Sequence, residues 1–261
     1  MSGAPTNVLV CIKRVVDASG EVVLTDDAQA VDGRYAGFTT SNHEECAVEL
    51  AVRVAATTGG TASVVTLGDA DSVEQLRTAL AVGCVAAIHV EVDSSRFGPA
   101  DVARELAAVV HDRRAVGEGP ELVLLGNDAA DSGDFQVGIR LAYELGWPVV
   151  NGVTMVTVED DTVVASGDGP EGHETYRVPL PAVVTVLEGG VEARYPTVPG
   201  RMKAKRVPIE RRAPTAEPTG PQRVRLLLPP PQPSNVQVLG QGAEAAPAVV
   251  DLLERLGVLG R

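Results

Sequence analysis

One run of this sequence has residue types and spacing that suit anion chemistry: GNDAADSGDFQVG, from Gly126 to Gly138. It follows ELVLLG, an apolar stretch that reads as a buried strand. Gly126 would let backbone approach a ligand. Asp131 or Ser132 can cap a helix expected over 133–145, whose free amides at Gly133 and Asp134 then face the ligand. Such a helix start suits a phosphate, although Asp128, Asp131 and Asp134 put negative charge beside it. An anion held there needs the amides together with a cation, Lys13 or Arg14. Those cations lie in CIKRVVD after the first strand, and LGD from Leu67 follows the second. In an open parallel sheet, ligands sit beyond the carboxyl ends of the strands where strand order reverses, which directs attention to these three loops. The residues alone favour nucleotide binding over a plain solvated loop.

Other chemistries leave no trace. No GxGxxG follows a strand, and neither a GxxxxGK[ST] loop nor an SGGxDS-type loop is present. His43, His89, His111 and His173 fall in different elements, and NHEEC lacks the HExxH spacing of a zinc site. Surface or packing roles are expected for most of them. His43, at the mouth of the expected cleft, is open to a functional role or to that of an ordinary loop residue.

The elements that must position these loops follow from periodicity. Strands are expected at NVLVCIKR from Asn7, ASVVTLG from Ala62, VAAIHVEV from Val85 and ELVLLG from Glu121, with helices near 44–57, 71–82 and 99–114 between them. Asn42, with Glu45 three residues later, reads as a capping box. This pattern predicts a doubly wound, mainly parallel α/β sheet of Rossmann-like type. After Pro148 the period changes to two, at VTMVTVE, DTVVAS, HETYRV and AVVTVL, which predicts hairpins extending the sheet edge and then a return strand. The core is expected over 1–212, with a β extension at 153–187. A proline-rich arm over 213–261, containing PPPQP from Pro229, ends in an apolar helix. The arm has two readings, docking on another surface or folding back on its own domain.

Composition narrows the partners. A net charge of -13, from 35 acidic and 22 basic residues, argues against nucleic acid and against an anionic membrane surface. No apolar stretch approaches the roughly 20 residues needed to cross a bilayer, and the first residues lack signal-peptide flanks, so a cytoplasmic location is expected. Cys11, Cys46 and Cys84 are odd in number and widely spaced, which suits buried, reduced thiols.

Together, VLVCIKRVVD, NHEECAVELAVRV, EQLRTALAVG, LVLLGNDAADSGDFQVGIRLAYELGWP, LPAVVT and ARYPTVPGRMKAKR resemble, in order and over nearly the whole chain, the electron transfer flavoprotein β subunits. The resemblance implies a subunit that binds AMP and covers the FAD carried mainly by an α subunit. The heterodimer would pass electrons from flavin dehydrogenases to a quinone oxidoreductase or similar acceptor, with no chemical step on the β chain. By position, it implies an AMP pocket of Cys11, Asn42, His43, Glu44, Glu45, Leu67, Gly126, Asn127, Asp128, Ala129, Ala130, Asp131, Ser132, Gly133, Asp134, Phe135, Gln136 and Val137. The segment around Asp17 and His43 would approach the flavin. A recognition loop over 187–196 would meet electron donors through Leu187, Gly190, Val191, Arg194 and Tyr195.

The chain departs from that pattern in three places. DSGDFQVG matches neither the DDDCNQTG of AMP-binding members nor the DGDTAQVG of bifurcating ones, and it places bulky Phe135 at a small or polar position. Ala18 and His43 stand where some members have aromatics near the flavin. Gly190 occupies the apparent anchor position of a leucine, where Val191 is a substitute. KAKR from Lys203 reads as a solvated basic turn or as part of a donor-docking surface. Two other functions remain: a bifurcating subunit with a second FAD in the AMP pocket, and a stand-alone nucleotide sensor.

Overall fold

The computed structural model describes residues 4–17, 19, 22–220, 223–230 and 236–259. Ala18 and the end of the proline run, 231–233, therefore lie outside the described residues. Strand β1 (Val8–Ile12) leads through short β2 (Val15–Val16) and β3 (Phe38–Thr39) to helix α1 (Asn42–Thr58). Then follow β4 (Ala62–Gly68), α2 (Val73–Val82), β5 (Ala86–Glu91), α3 (Pro99–Ala115), β6 (Leu122–Gly126) and α4 (Val137–Leu145). The next strands are β7 (Val149–Val153), β8 (Met155–Glu159), β9 (Thr162–Gly169), β10 (Gly172–Pro179) and β11 (Ala182–Val186). Helix α5 (Val198–Ala204), β12 (Ile209–Arg212) and α6 (Ala246–Arg255) complete the order.

The main sheet has seven strands in the order β12-β5-β4-β1-β6-β11-β7, and every pairing is parallel. Both of its faces are covered, so its strands are apolar on both sides. Val8, Val10 and Ile12 pack with Leu50, Val54, Leu76 and Leu80 of α1 and α2. Leu9 and Cys11 turn the other way, towards Leu106, Val110 and Leu141 of α3 and α4. The expected doubly wound sheet is what forms. From β1 the chain winds out through β4 and β5, then returns to place β6 on the other flank of β1. Strand order thus reverses between β1 and β6.

Three local expectations need correction. Helix α1 is capped by Ser41, one residue earlier than expected, and it is Glu44 that reaches back to accept from the Ser41 amide and hydroxyl at 3.2 and 2.9 Å. Asn42 is already helical, because Ser41 holds the extended conformation (φ -68°, ψ 156°) that an N-cap requires. Helix α4 begins at Val137 rather than near 133, because Gly133 (φ 59°) and Phe135 (φ 53°) are left-handed and cannot belong to a right-handed helix. Asp131 and Ser132 therefore cap nothing.

The hairpins, finally, do not lengthen the main sheet. Strands β8, β9 and β10 form a separate antiparallel sheet, and the edge strand is β7, paired to β11. In β9, Val163 and Ala165 are buried while their neighbours are less so, giving one apolar face. That face, with Val156, joins the cluster around α1. Addition to the main sheet would have required both faces to be apolar.

Beyond β12, the chain from Thr215 to Gly220 is tied to α3 through two buried carboxylates. Glu105 accepts from the amides of Thr215 and Ala216 and from the Thr215 hydroxyl at 2.7–3.1 Å. Asp101 accepts from the amides of Thr219 and Gly220, both at 2.9 Å. Residues up to Leu226 form one compact unit and Leu227–Arg261 a second. Within the second, α6 carries exposed Val249 and Val250. Among the described residues no helix is long and apolar enough to cross a membrane. All three cysteines are free and buried.

Glu105→Ala is expected to cost about 1–3 kcal/mol, the value of a buried acceptor network. Hydrogen exchange should show amides 215 and 216 losing protection while β1 and β6 keep theirs.

Candidate functional site

The carboxyl ends of β1, β4 and β6 open onto a cavity of about 130 Å³. Cys11 and Lys13 contribute from the first strand, Leu67 from the second, and Gly126 to Ala129 from the third. Phe97, Val102 and Leu106 form an apolar wall from the α3 side, and Phe135 to Gly138 close the far rim. Helix α4 starts there. Its first amides precede any intrahelical acceptor and carry the positive end of the helix dipole.

Gly126 is needed for a reason other than the one expected. A Cβ at this position would lie 2.7 Å from Glu44 Cγ and 3.2 Å from His43 Cβ, so the first turn of α1 occupies the space that a ligand was expected to use. Asn127 is pinned by its amide to Val186 O at 2.9 Å and accepts from the Thr185 hydroxyl at 2.7 Å. Beyond it, the amides of Ser132 and Gly133 both donate to Ala129 O, which curls the segment into a tight turn. Phe135, left-handed without being glycine, is 55% exposed at the cavity mouth. Gln136 accepts from Arg140 through its side chain at 2.9 and 3.1 Å.

The expected cations are both engaged. Lys13 Nζ sits 2.7 Å from Asp131, and the Arg14 guanidinium lies 3.5 Å over the Phe38 ring with Asp69 and Asp71 at 3.8 and 3.7 Å. An anion in the cavity therefore rests mainly on the α4 amides. His43 Nδ1 is 2.8 Å from Asp128 Oδ1 without forming a hydrogen bond, so this buried oxygen has no hydrogen-bond donor among the described residues. Glu44 is buried, and the loss of solvent pushes its carboxyl up to about 7, against hydrogen bonds from Ser41 and the Lys13 amide.

Of the residues expected in one pocket, Cys11, Glu44, Leu67, Gly126 to Ala129, Ser132, Asp134, Phe135, Gln136 and Val137 line this cavity. Ala130, Asp131 and Gly133 belong to the turn without lining it. Asn42 and Glu45 instead line a second cavity of about 310 Å³, between α1, α2 and the 188–196 loop. The wall from α3 had gone unrecognised. Its signal was the apolar face of that helix, which looks like ordinary core packing in one dimension. His89 is wholly buried, with Nε2 3.1 Å from Gly68 O, as suits a packing role.

The 187–196 loop is fastened to the core. A Cβ at Gly190 would sit 2.1 Å from Thr154 O, so no side chain fits there and Gly190 is not a position from which an anchor projects. Val191 is half-buried, and its carbonyl accepts from Cys46 Sγ at 3.5 Å. Arg194 grips the buried Glu49 with two side-chain bonds, Nε to Oε2 at 2.6 Å and Nη2 to Oε1 at 2.9 Å, and its amide adds a third at 3.3 Å, while Arg53 Nε reaches the same carboxylate at 2.6 Å. Leu187 is half-buried, whereas Tyr195 is 88% exposed.

Comparison with known proteins settles the family. The family model described as "Electron transfer flavoprotein domain" matches residues 34–217. The electron transfer flavoprotein subunit beta of Bacillus subtilis is 31% identical over 257 residues, covering 95% of this chain and 97% of that protein. The Homo sapiens subunit beta is 37% identical over 211 residues, 79% of this chain and 81% of that one. The chain belongs to the electron transfer flavoprotein β-subunit family. The parallel sheet with its cleft at the strand-order reversal is thus an electron transfer flavoprotein architecture.

Because Arg194 holds the Glu49 carboxyl down to about 2, this ion pair contributes stability that is complete above the ordinary value of 4.5 and is lost as pH falls towards 2. Glu49→Gln should remove that part of the acid dependence in denaturant titrations between pH 5 and 3. It should also raise hydrogen exchange in the 188–196 loop at neutral pH.

Proposed function

We propose that this β subunit binds AMP in the cavity between β1 and β6 and helps to enclose FAD held mainly by a separate α subunit. The heterodimer would carry electrons from flavin dehydrogenases to a quinone oxidoreductase or similar acceptor. One observation carries the AMP reading: an unpaired helix start opens onto an apolar-walled cavity at the strand-order reversal. The amides at the start of α4 suit the phosphate. The buried Asp128 Oδ1, which lacks a hydrogen-bond donor among the described residues, suits a ribose hydroxyl or an adenine amino group. Phe97, Val102 and Leu106 suit the flat face of a base.

The cavity volume, about 130 Å³, is below the roughly 300–1,000 Å³ usual for small-molecule sites. A whole nucleotide therefore requires the cavity to open, and the exposed Phe135 on its lining is the side chain placed to move. A second FAD, larger than AMP, would need a greater displacement, so the volume favours AMP over the bifurcating reading.

Bound FAD would supply the electron-accepting and electron-donating chemistry. The chain's own residues bind the nucleotide, fix α1 and the turn around it, and present the loop held by Glu49 and Arg194. Tyr195 on that loop and Val198 and Met202 on α5 are exposed, and α5 also carries Arg201 and Lys203, a combination that suits an acidic electron donor. The uncovered apolar residues of α6 support a docking role for the arm on the α subunit.

Co-expression with an α subunit, followed by acid release and chromatography of the bound ligands, tests the proposal. One FAD and one AMP per heterodimer is the expected result. Two FAD and no AMP would establish the bifurcating reading instead, and failure to form any flavin-containing complex would overturn both.

A further inference from the structure

Glu44 lines the β1–β6 cavity from the first turn of α1 and is 5% exposed. Its position is tightly set. Oε2 accepts from the Ser41 amide and hydroxyl, and Cγ fills the space left by the missing side chain of Gly126. The Ser41 amide and hydroxyl and the Lys13 amide help it to hold a negative charge, but the loss of solvent outweighs them. From β1 and its exit come the Cys11 thiol, kept neutral by burial, and Lys13, which offers its amide and a weak attraction while its ammonium is spent on Asp131 at 2.7 Å. From the first turn of α1 comes His43, 2.8 Å from Asp128 on the β6 exit loop. Asp128 and Asp134 also line the cavity and add charge of the same sign.

We propose that Glu44 makes occupation of this cavity by a phosphate-bearing nucleotide a proton-consuming event, so that affinity falls as pH rises through neutrality. The inference rests on the AMP reading above and adds a coupling to it. A phosphate brought into the same poorly solvated space is a like charge, and like charges at close range cannot all stay ionised. Glu44 yields first, because burial has already lifted its carboxyl to about 7, within reach of a proton at physiological pH. The proton comes from solvent. Once neutral, the carboxyl gains a donor as well as an acceptor and can hydrogen-bond the ligand rather than repel it. The capping contacts with Ser41 need only an acceptor oxygen, so they survive in either state.

The test is calorimetric titration of AMP into the α–β complex freed of nucleotide, at pH 7.5, in buffers of unlike ionisation enthalpy. The expected result is uptake of about half a proton or more per AMP, with affinity weakening several-fold between pH 7 and 8.5. Adenosine, which lacks the phosphate, should bind without proton uptake. Glu44→Gln keeps an acceptor for Ser41 and should bind AMP with no uptake and a flat pH profile. AMP binding to the natural complex without proton uptake overturns this inference and leaves the AMP reading standing. Unchanged uptake in Glu44→Gln overturns it by assigning the proton to another group. No binding of AMP to either protein removes both.

Discussion

The burial of β1 on both faces is the constraint from which the remaining architecture follows. Its five residues have no polar side to turn to water, so helices must cover it from above and below and other strands must flank it on both edges. Parallel neighbours require crossovers, and the crossovers of this chain run first to one side of β1 and then to the other. The reversal leaves a gap between the loops that leave β1 and β6. Nothing in the cavity has to be specially built to exist; it is where the covering helices part.

What fills that gap is decided by short-range sterics. The start of α1 presses so close to the end of β6 that only glycine fits at 126, with His43 packed against it and Glu44 lining the site from the side. On the opposite rim, a left-handed turn delays α4 until Val137 and leaves Phe135 over the mouth. Electrostatics work against the cavity's own purpose on this reading: acidic side chains crowd it, and the nearby cations Lys13 and Arg14 are already paired. Backbone amides are left as the main source of positive potential, consistent with a chain whose net charge is -13.

Much of this was legible in one dimension. The order of main-sheet strands and their helices from β1 to β6, the return strand β11 and the gathering of the Gly126–Val137 run beside Cys11 and Leu67 follow from periodicity and from the winding rule for parallel sheets. The remainder depends on contacts between distant residues. Ser41 and Asn42 are both good caps, and only the backbone angle distinguishes them. Gly190 looks like a lost anchor until Thr154 O is found against it. β7 and β12 form the sheet edges, where weak patterns suffice, and β2 and β3 have two residues each, too few to show a period. Glu49 and Arg194 stand 145 residues apart, so no local pattern pairs them.

The three buried cysteines have a further consequence. Burial lifts the Cys84 thiol to about 12 and raises Cys11 and Cys46 as well, with Glu44 adding to the effect at Cys11 and nearby carboxylates at Cys46. Thiols held protonated and out of reach are poor nucleophiles towards peroxide. Peroxide would therefore meet the exposed thioether of Met202 on α5 before it met any of these thiols.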